Sequence, residues 1–391
     1  MLGAYGSTLY QTDNFNRLAA KSLVFDQVIS QTTNLEDAYN LLWENSTHGN
    51  LIQNIGQTGI SPVLLTDEPM VASLAVSESF DRIVPVDTKP TGKMASSVAE
   101  TELANFFAQA TQWLADMEPG SIGWLHSRGL SGAWDAPAEL RARLADSEDP
   151  EPPDFFQTPA REFDPQVDDP DELLGYQQVC AAQVTLLDDF LGVILDLMET
   201  EIGQSTLFCL MSPRGFPLGE HGQVGDFSSA EKANSTYNES VHVPLMVCLP
   251  ERPELKNMRA IRNGSLVQPK LVGEILTDWF SPTAGLFEQK CRELSNVVPN
   301  KKKEIAFTLN GPQQAIQTHA WKLIRTNSPS GDATLELFAK PDDRWEVNDV
   351  SGRCPQIVQD LSEILDQWIA TGKIEDSGGI GLSDELSIRL D

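Results

Sequence analysis

Apolar residues fall along this chain in two patterns. Short, mostly unbroken apolar runs, bounded by glycine, proline or polar residues, occupy residues 63–66, 82–86, 121–126, 206–211 and 241–250. Runs of that length with breakers at their ends suit buried strands rather than free-standing helices. Between them, apolar residues recur at three- and four-residue steps. Leu103, Phe106, Phe107, Ala110 and Trp113 do so in residues 102–117, and Val184, Leu187, Leu191, Ile194 and Leu195 in residues 176–199. That spacing predicts amphipathic helices packed on a sheet. The alternation predicts an α/β fold, a mixed, mostly parallel sheet flanked by helices. Residues 305–310, 315–319, 321–325 and 335–338 read as short strands before a helix at 355–370, a small C-terminal α+β subdomain. The expected division is residues 1–300, 301–373 and a polar, glycine-rich tail at 374–391 that should be mobile.

The run at 206–211 has the sharpest end. It should be a strand buried on both faces, and it stops at Ser212-Pro213-Arg214-Gly215. Ligands of open parallel sheets bind beyond the carboxyl ends of the strands, so this tetrapeptide is the expected place for chemistry. It offers a guanidinium and no metal ligand. Elsewhere Asp13 or Asn14 is expected to cap a helix reaching Lys21, and Thr33 or Asn34 to cap another. His126, on a strand, reads as a satisfied core histidine. Residues 146–171 are acidic and proline-rich, a long surface loop whose carboxylates lack calcium-loop spacing.

The net charge of −29 over 391 residues changes the choice of partner. It argues against nucleic acid and anionic membranes, and mildly against an anionic substrate, since the field is screened within about 8 Å at physiological salt. No apolar run is read as long enough to cross a bilayer, and the first twenty residues do not look like a secretory signal. Five scattered cysteines, Cys180, Cys209, Cys248, Cys291 and Cys354, read as thiols in a reducing, cytoplasmic setting rather than as a disulfide frame or zinc site.

Several stretches together resemble the sulfatases of the alkaline-phosphatase superfamily. Leu218-Gly219-Glu220-His221-Gly222 matches their Leu-Gly-Glu-His-Gly, and residues 2–6 and 14–19 match Leu-Gly-Cys-Tyr-Gly and a following Asn-Ile-Asp-Arg-Leu-Ala. The pattern at 184–192 resembles a family helix, Val243-Pro244-Leu245 a family strand, and residues 321–370 the family's C-terminal plan. The resemblance implies the sulfatase fold. It also exposes three departures. Pro213 and Arg214 stand where the family has a metal-binding Asp and His. Asn34 stands at the nucleophilic cysteine and Ala38 at its arginine. The family's first strand, with its metal-binding Asp pair, has no counterpart, so either coding sequence lies upstream or the strand is gone.

The resemblance therefore implies a sulfatase-like protein with no catalytic residue, metal or cofactor assigned. Arg214, His221 and Lys232 are the candidate anion-binding residues; Lys232 resembles a sulfate-contacting lysine, and Ser131 matches the family's sulfate-contacting histidine. The expected partner is a sulfated or other anionic small molecule, or an active paralogue. The alternative is an active sulfate or phosphate ester hydrolase with a non-standard site, for which Thr32 and Thr33 are the available hydroxyls. Arg214 has a third option, pairing with an acidic neighbour.

Overall fold

A computed structural model describes residues 1–45, 49–89, 92–118, 120–227, 235–295, 304–371 and 384–387. Seven strands form the main sheets: β1 (Ser22–Val28), β2 (Pro62–Thr66), β3 (Arg82–Pro85), β4 (Ile122–His126), β5 (Phe208–Met211), β6 (Leu245–Cys248) and β7 (Ile261–Val267). They do not make one sheet. One sheet has the order β7-β1-β6-β5, the other β3-β2-β4. The second is wholly parallel; in the first, β1 pairs parallel with β7 and antiparallel with β6, which pairs antiparallel with β5. The α/β class and the mixed, mostly parallel pairing agree with the sequence. The position of β5 does not. The strand expected to be buried on both faces ends its sheet, and all four of its residues are only half-buried, whereas β6 is buried along most of its length. Its missing neighbour is the physical reason.

Helices cover both sheet faces. They are α1 (Asp13–Ala19), α2 (Leu35–Trp43), α3 (Glu102–Ala115), α4 (Pro170–Leu197) and α5 (Leu271–Trp279). Alternation along β1 shows the two layers. Leu23 and Phe25 join the core with α2 and α5, while Val24 joins the core with α1 and α4. Asn34 caps α2, its Oδ1 accepting from Asp37 N at 3.0 Å, so the cap reading of residues 33–34 holds. Neither Asp13 nor Asn14 caps α1. The helix starts after Thr12, and the Asp188 carboxylate of α4 accepts from the Asn14 and Phe15 backbone N–H groups instead. α4 is long and apolar enough to cross a membrane by composition, contrary to the reading of the sequence. Yet 72% of that apolar window is buried inside the molecule, as befits a central core helix.

The C-terminal subdomain is an antiparallel meander of β8 (Ala306–Asn310), β9 (Gln313–Gln317), β10 (Trp321–Asn327) and β11 (Ala333–Ala339), covered by α6 (Pro355–Thr371). Phe307, Leu323 and Leu337 pack against Leu361 and Leu365 of α6. The tail at 374–391 lies outside the described residues except for 384–387.

Candidate functional site

The carboxyl ends of β4 and β5 converge on Arg214. Its Nη2 donates to Asp226 Oδ2 at 2.6 Å and to Ser131 Oγ at 3.2 Å, and its Nη1 donates to the Thr33 carbonyl at 3.3 Å. The two charged side chains are 9% and 11% exposed. Arg214 thus ties together the loops after β4 and β5 and the turn before α2, the three places where the sequence located chemistry. Its guanidinium is neutralised by Asp226, which sequence reasoning missed because nothing in an acidic chain distinguishes one aspartate twelve residues downstream.

His221 faces the C-terminal subdomain. Its Nδ1 meets Glu239 Oε1 at 2.8 Å, its Nε2 meets the Glu346 carbonyl at 3.1 Å, and its ring stacks on Tyr237. Both partners only accept, so both ring nitrogens donate and the ring is an imidazolium. Burial pulls its pKa down, but Glu239 and Glu346 outweigh that and hold it above the ordinary histidine value. Lys232 lies outside the described residues. Thr32 is buried, and its Oγ1 accepts from Asn34 N.

Beneath Arg214 a cavity of about 1480 Å³ opens between β4 and β5. His126, at the end of β4, lines it. Tyr39 sits against His126 Nδ1, while Nε2 has no hydrogen-bond partner among the described residues although His126 is only 7% exposed. His126 is therefore buried but not satisfied, contrary to the expectation. Burial, aided by Arg214, pushes its pKa down to about 3, so the ring is neutral. Asp67, after β2, accepts from Arg128 N at 2.7 Å, and burial raises its pKa to about 6.

Asp67 allows a first prediction. A carboxyl raised from 3.8 to about 6 keeps its proton longer when folded than when unfolded. Its contribution therefore falls as pH rises from about 4 to 6, by at most roughly 3 kcal/mol. Asp67→Asn is expected to raise the urea midpoint at pH 7 and to flatten that limb. An unchanged midpoint at pH 7 would show that Asp67 titrates normally.

The divalent ion of sulfatase chemistry does not fit these residues. The Pro213 side chain has no ligand atom and its carbonyl accepts from Ser30 Oγ, Arg214 brings a cation already paired with Asp226, and no three His, Cys, Asp or Glu among the described residues are grouped to hold a metal.

No protein-family model and no curated protein sequence matches the chain. Solved structures do. BT4656 in complex with its substrate D-glucosamine-2-N,6-O-disulfate superposes with a TM-score of 0.70 at 13% identity, over 96% of each chain. The phosphonate monoester hydrolase of Agrobacterium radiobacter gives 0.70 at 14% identity, over 95% of this chain and 93% of that one. BT1596, a 2-O GAG sulfatase, gives 0.65 at 15% identity, over 99% and 93%. The chain shares the fold of these sulfatases and of the phosphonate monoester hydrolase.

Proposed function

We propose that this sulfatase-fold protein hydrolyses no ester and acts by binding, with a sulfated or other anionic small molecule held at Arg214. What supports this reading is the guanidinium that stands at the end of β5 in place of metal ligands; its ion pair with Asp226 is the acidic-neighbour option of the sequence, and any anion must compete with it. Ester hydrolysis on this fold needs a cation that both gathers the anion and activates a nucleophile. A guanidinium gathers an anion with directed N–H groups but, being always charged, takes no proton from a nucleophile. BT4656, of the same fold, takes a doubly sulfated glucosamine as its substrate, which makes sulfated sugars the first ligands to try.

Asp226 sets the affinity. An incoming sulfate competes with its carboxylate for the same Nη2. Sulfate and glucosamine sulfates are expected to bind weakly to the wild type, at least about tenfold more tightly to Asp226→Asn, and not at all to Arg214→Gln, a 1.4 kcal/mol difference or more by calorimetry. Equal heats for wild type and Arg214→Gln would end the anion reading. In the same preparations, aryl sulfates, phosphates and phosphonates are expected to remain intact with calcium or manganese added. Turnover that follows the protein through purification would instead favour a hydrolase with an unusual site.

A further inference from the structure

His221 connects the turn that carries Arg214 to the C-terminal subdomain. Its ring lies flat on Tyr237, with 3.7 Å between centroids. Glu239 Oε1 is 2.8 Å from Nδ1, and the Glu346 carbonyl is 3.1 Å from Nε2. The histidine and Glu239 side chains are 14% and 8% exposed, so little water competes. The segment that holds Glu239 also touches the Arg214 turn. The Gly215 N–H donates to the Ser240 carbonyl at 2.7 Å, and the Glu239 carbonyl leaves no room for a Cβ at Gly215. Backbones packed that closely shift together. Among the described residues, the other titratable groups of this cluster have partners of their own. Glu336 of β11 accepts from the Tyr237 hydroxyl, and Glu346 sits between Lys322 and Lys340. Arg344 stacks over Trp345, and Glu220 accepts from the Leu218 N–H. His221 is the member whose ordinary titration range lies nearest neutrality. Its charge decides the contact. An imidazolium donates from both nitrogens, to the Glu239 carboxylate and across the seam to the Glu346 carbonyl. A neutral ring keeps one N–H, and Glu239, the charged acceptor, retains it. Nε2 then turns a lone pair toward the carbonyl oxygen, and the contact across the seam becomes repulsive.

We propose that His221 is a proton-operated latch on the Arg214 site. Protonated, it ties residues 237–241 to the C-terminal subdomain and steadies the Gly215 backbone beside Arg214. Deprotonated, it releases the Glu346 carbonyl and slackens that turn. The control of anion binding rests on the role proposed above for Arg214; the latch itself does not. The sign follows from the surroundings of the ring. Burial lowers its pKa, but Glu239 and Glu346 outweigh burial and hold the proton on beyond the ordinary 6.5. The contribution of the latch is therefore full below about pH 6.5 and is lost as pH rises through the higher folded value.

Amide hydrogen exchange, corrected for base catalysis, reads the latch at Gly215, Asn238 and His242, whose N–H groups are bonded within this segment or across the seam. Their protection is expected to fall about fivefold as pH is raised past the His221 titration, and to show no such step in His221→Gln. Glu239→Gln keeps the ring and removes the carboxylate. It should move the step and the NMR titration of His221 together to lower pH, by about one unit. Calorimetry with sulfate on Asp226→Asn is expected to show an affinity about fivefold lower above the step than below it. By reciprocity, saturating sulfate should then raise the His221 titration midpoint by about 0.7 unit. Protection that is flat with pH in the wild type, a step that persists in His221→Gln, or a step that stays in place in Glu239→Gln would each overturn the latch. A step in protection with unchanged sulfate affinity would overturn its control of the site. Sulfate that binds at no pH would end the anion reading instead, and the exchange measurements would still decide the latch.

Discussion

Glu346→Gln is expected to cost about 3–5 kcal/mol, a large part of a protein's net stability. The Glu346 side chain is fully buried between two lysines: Lys322 Nζ lies 2.9 Å and Lys340 Nζ 2.7 Å from its Oε1, with the lysine side chains 1% and 6% exposed. Its Oε2 also accepts from Lys322 and from the backbone N–H of Asn238. Burial pushes the carboxyl pKa up, but the two ammonium groups outweigh it and hold it below the ordinary 4.5. The amide keeps the shape and leaves two buried cations without their counter-charge. Because Asn238 and His221 reach Glu346 from the loops after β5, the change also loosens the seam to the C-terminal subdomain. Urea unfolding should show a large drop in midpoint, and hydrogen exchange should accelerate first in β10 and β11. Adding Lys322→Met, which removes one stranded cation, should recover part of the loss. The pH dependence has a definite sign. A carboxyl with a lowered folded pKa stabilises above about pH 4.5, and that stability is lost as pH falls through the folded value; Glu346→Gln should lack that acid limb. A variant within 1 kcal/mol of wild type would mean that the lysines discharge or rehydrate when the carboxylate is gone.

Arg141→Met is expected to have a comparable effect by a different route. The guanidinium is 1% exposed, and its hydrogen-bond partners are backbone carbonyls. It donates to Ala136, Pro153, Phe155 and Trp134 oxygens at 2.6–2.8 Å, and burial lowers its pKa to about 10. Methionine fills much of the volume and strands four acceptors, each costing about 1–3 kcal/mol if buried and unpaired, less where water reaches them. An overall loss of about 3 kcal/mol or more follows. The residues held by Arg141 carry Trp134 and Phe155, and Trp134 packs on Phe216 just after β5, so the wall of the site should loosen too. Tryptophan fluorescence together with the urea midpoint checks both effects. Arg141→Lys keeps the charge but not the planar fork, and should recover little. A midpoint unchanged in Arg141→Met would show that water replaces the guanidinium.

Periodicity and local chemistry were enough to place most elements. The three-four spacing of Leu187, Leu191 and Ile194 marks α4 because an apolar stripe must find a core wherever the helix packs. Asn34 caps α2 by reaching its own backbone three residues on. β1 and β7 escaped notice. In β1 the apolar run is cut by Asp26, and β7 reads Ile-Arg-Asn-Gly-Ser-Leu-Val, so neither shows the clean pattern of a strand. Local sequence also put a guanidinium, rather than metal ligands, after β5. What the sequence could not determine was any pairing between distant residues. Asp226 neutralises Arg214, the Glu346 carbonyl meets His221 across the seam to the C-terminal subdomain, and β5 ends its sheet. Each of these depends on which side chain or strand edge lies opposite. That is decided by long-range packing, because a charge or an unpaired edge carries no record in its own neighbours of what will meet it.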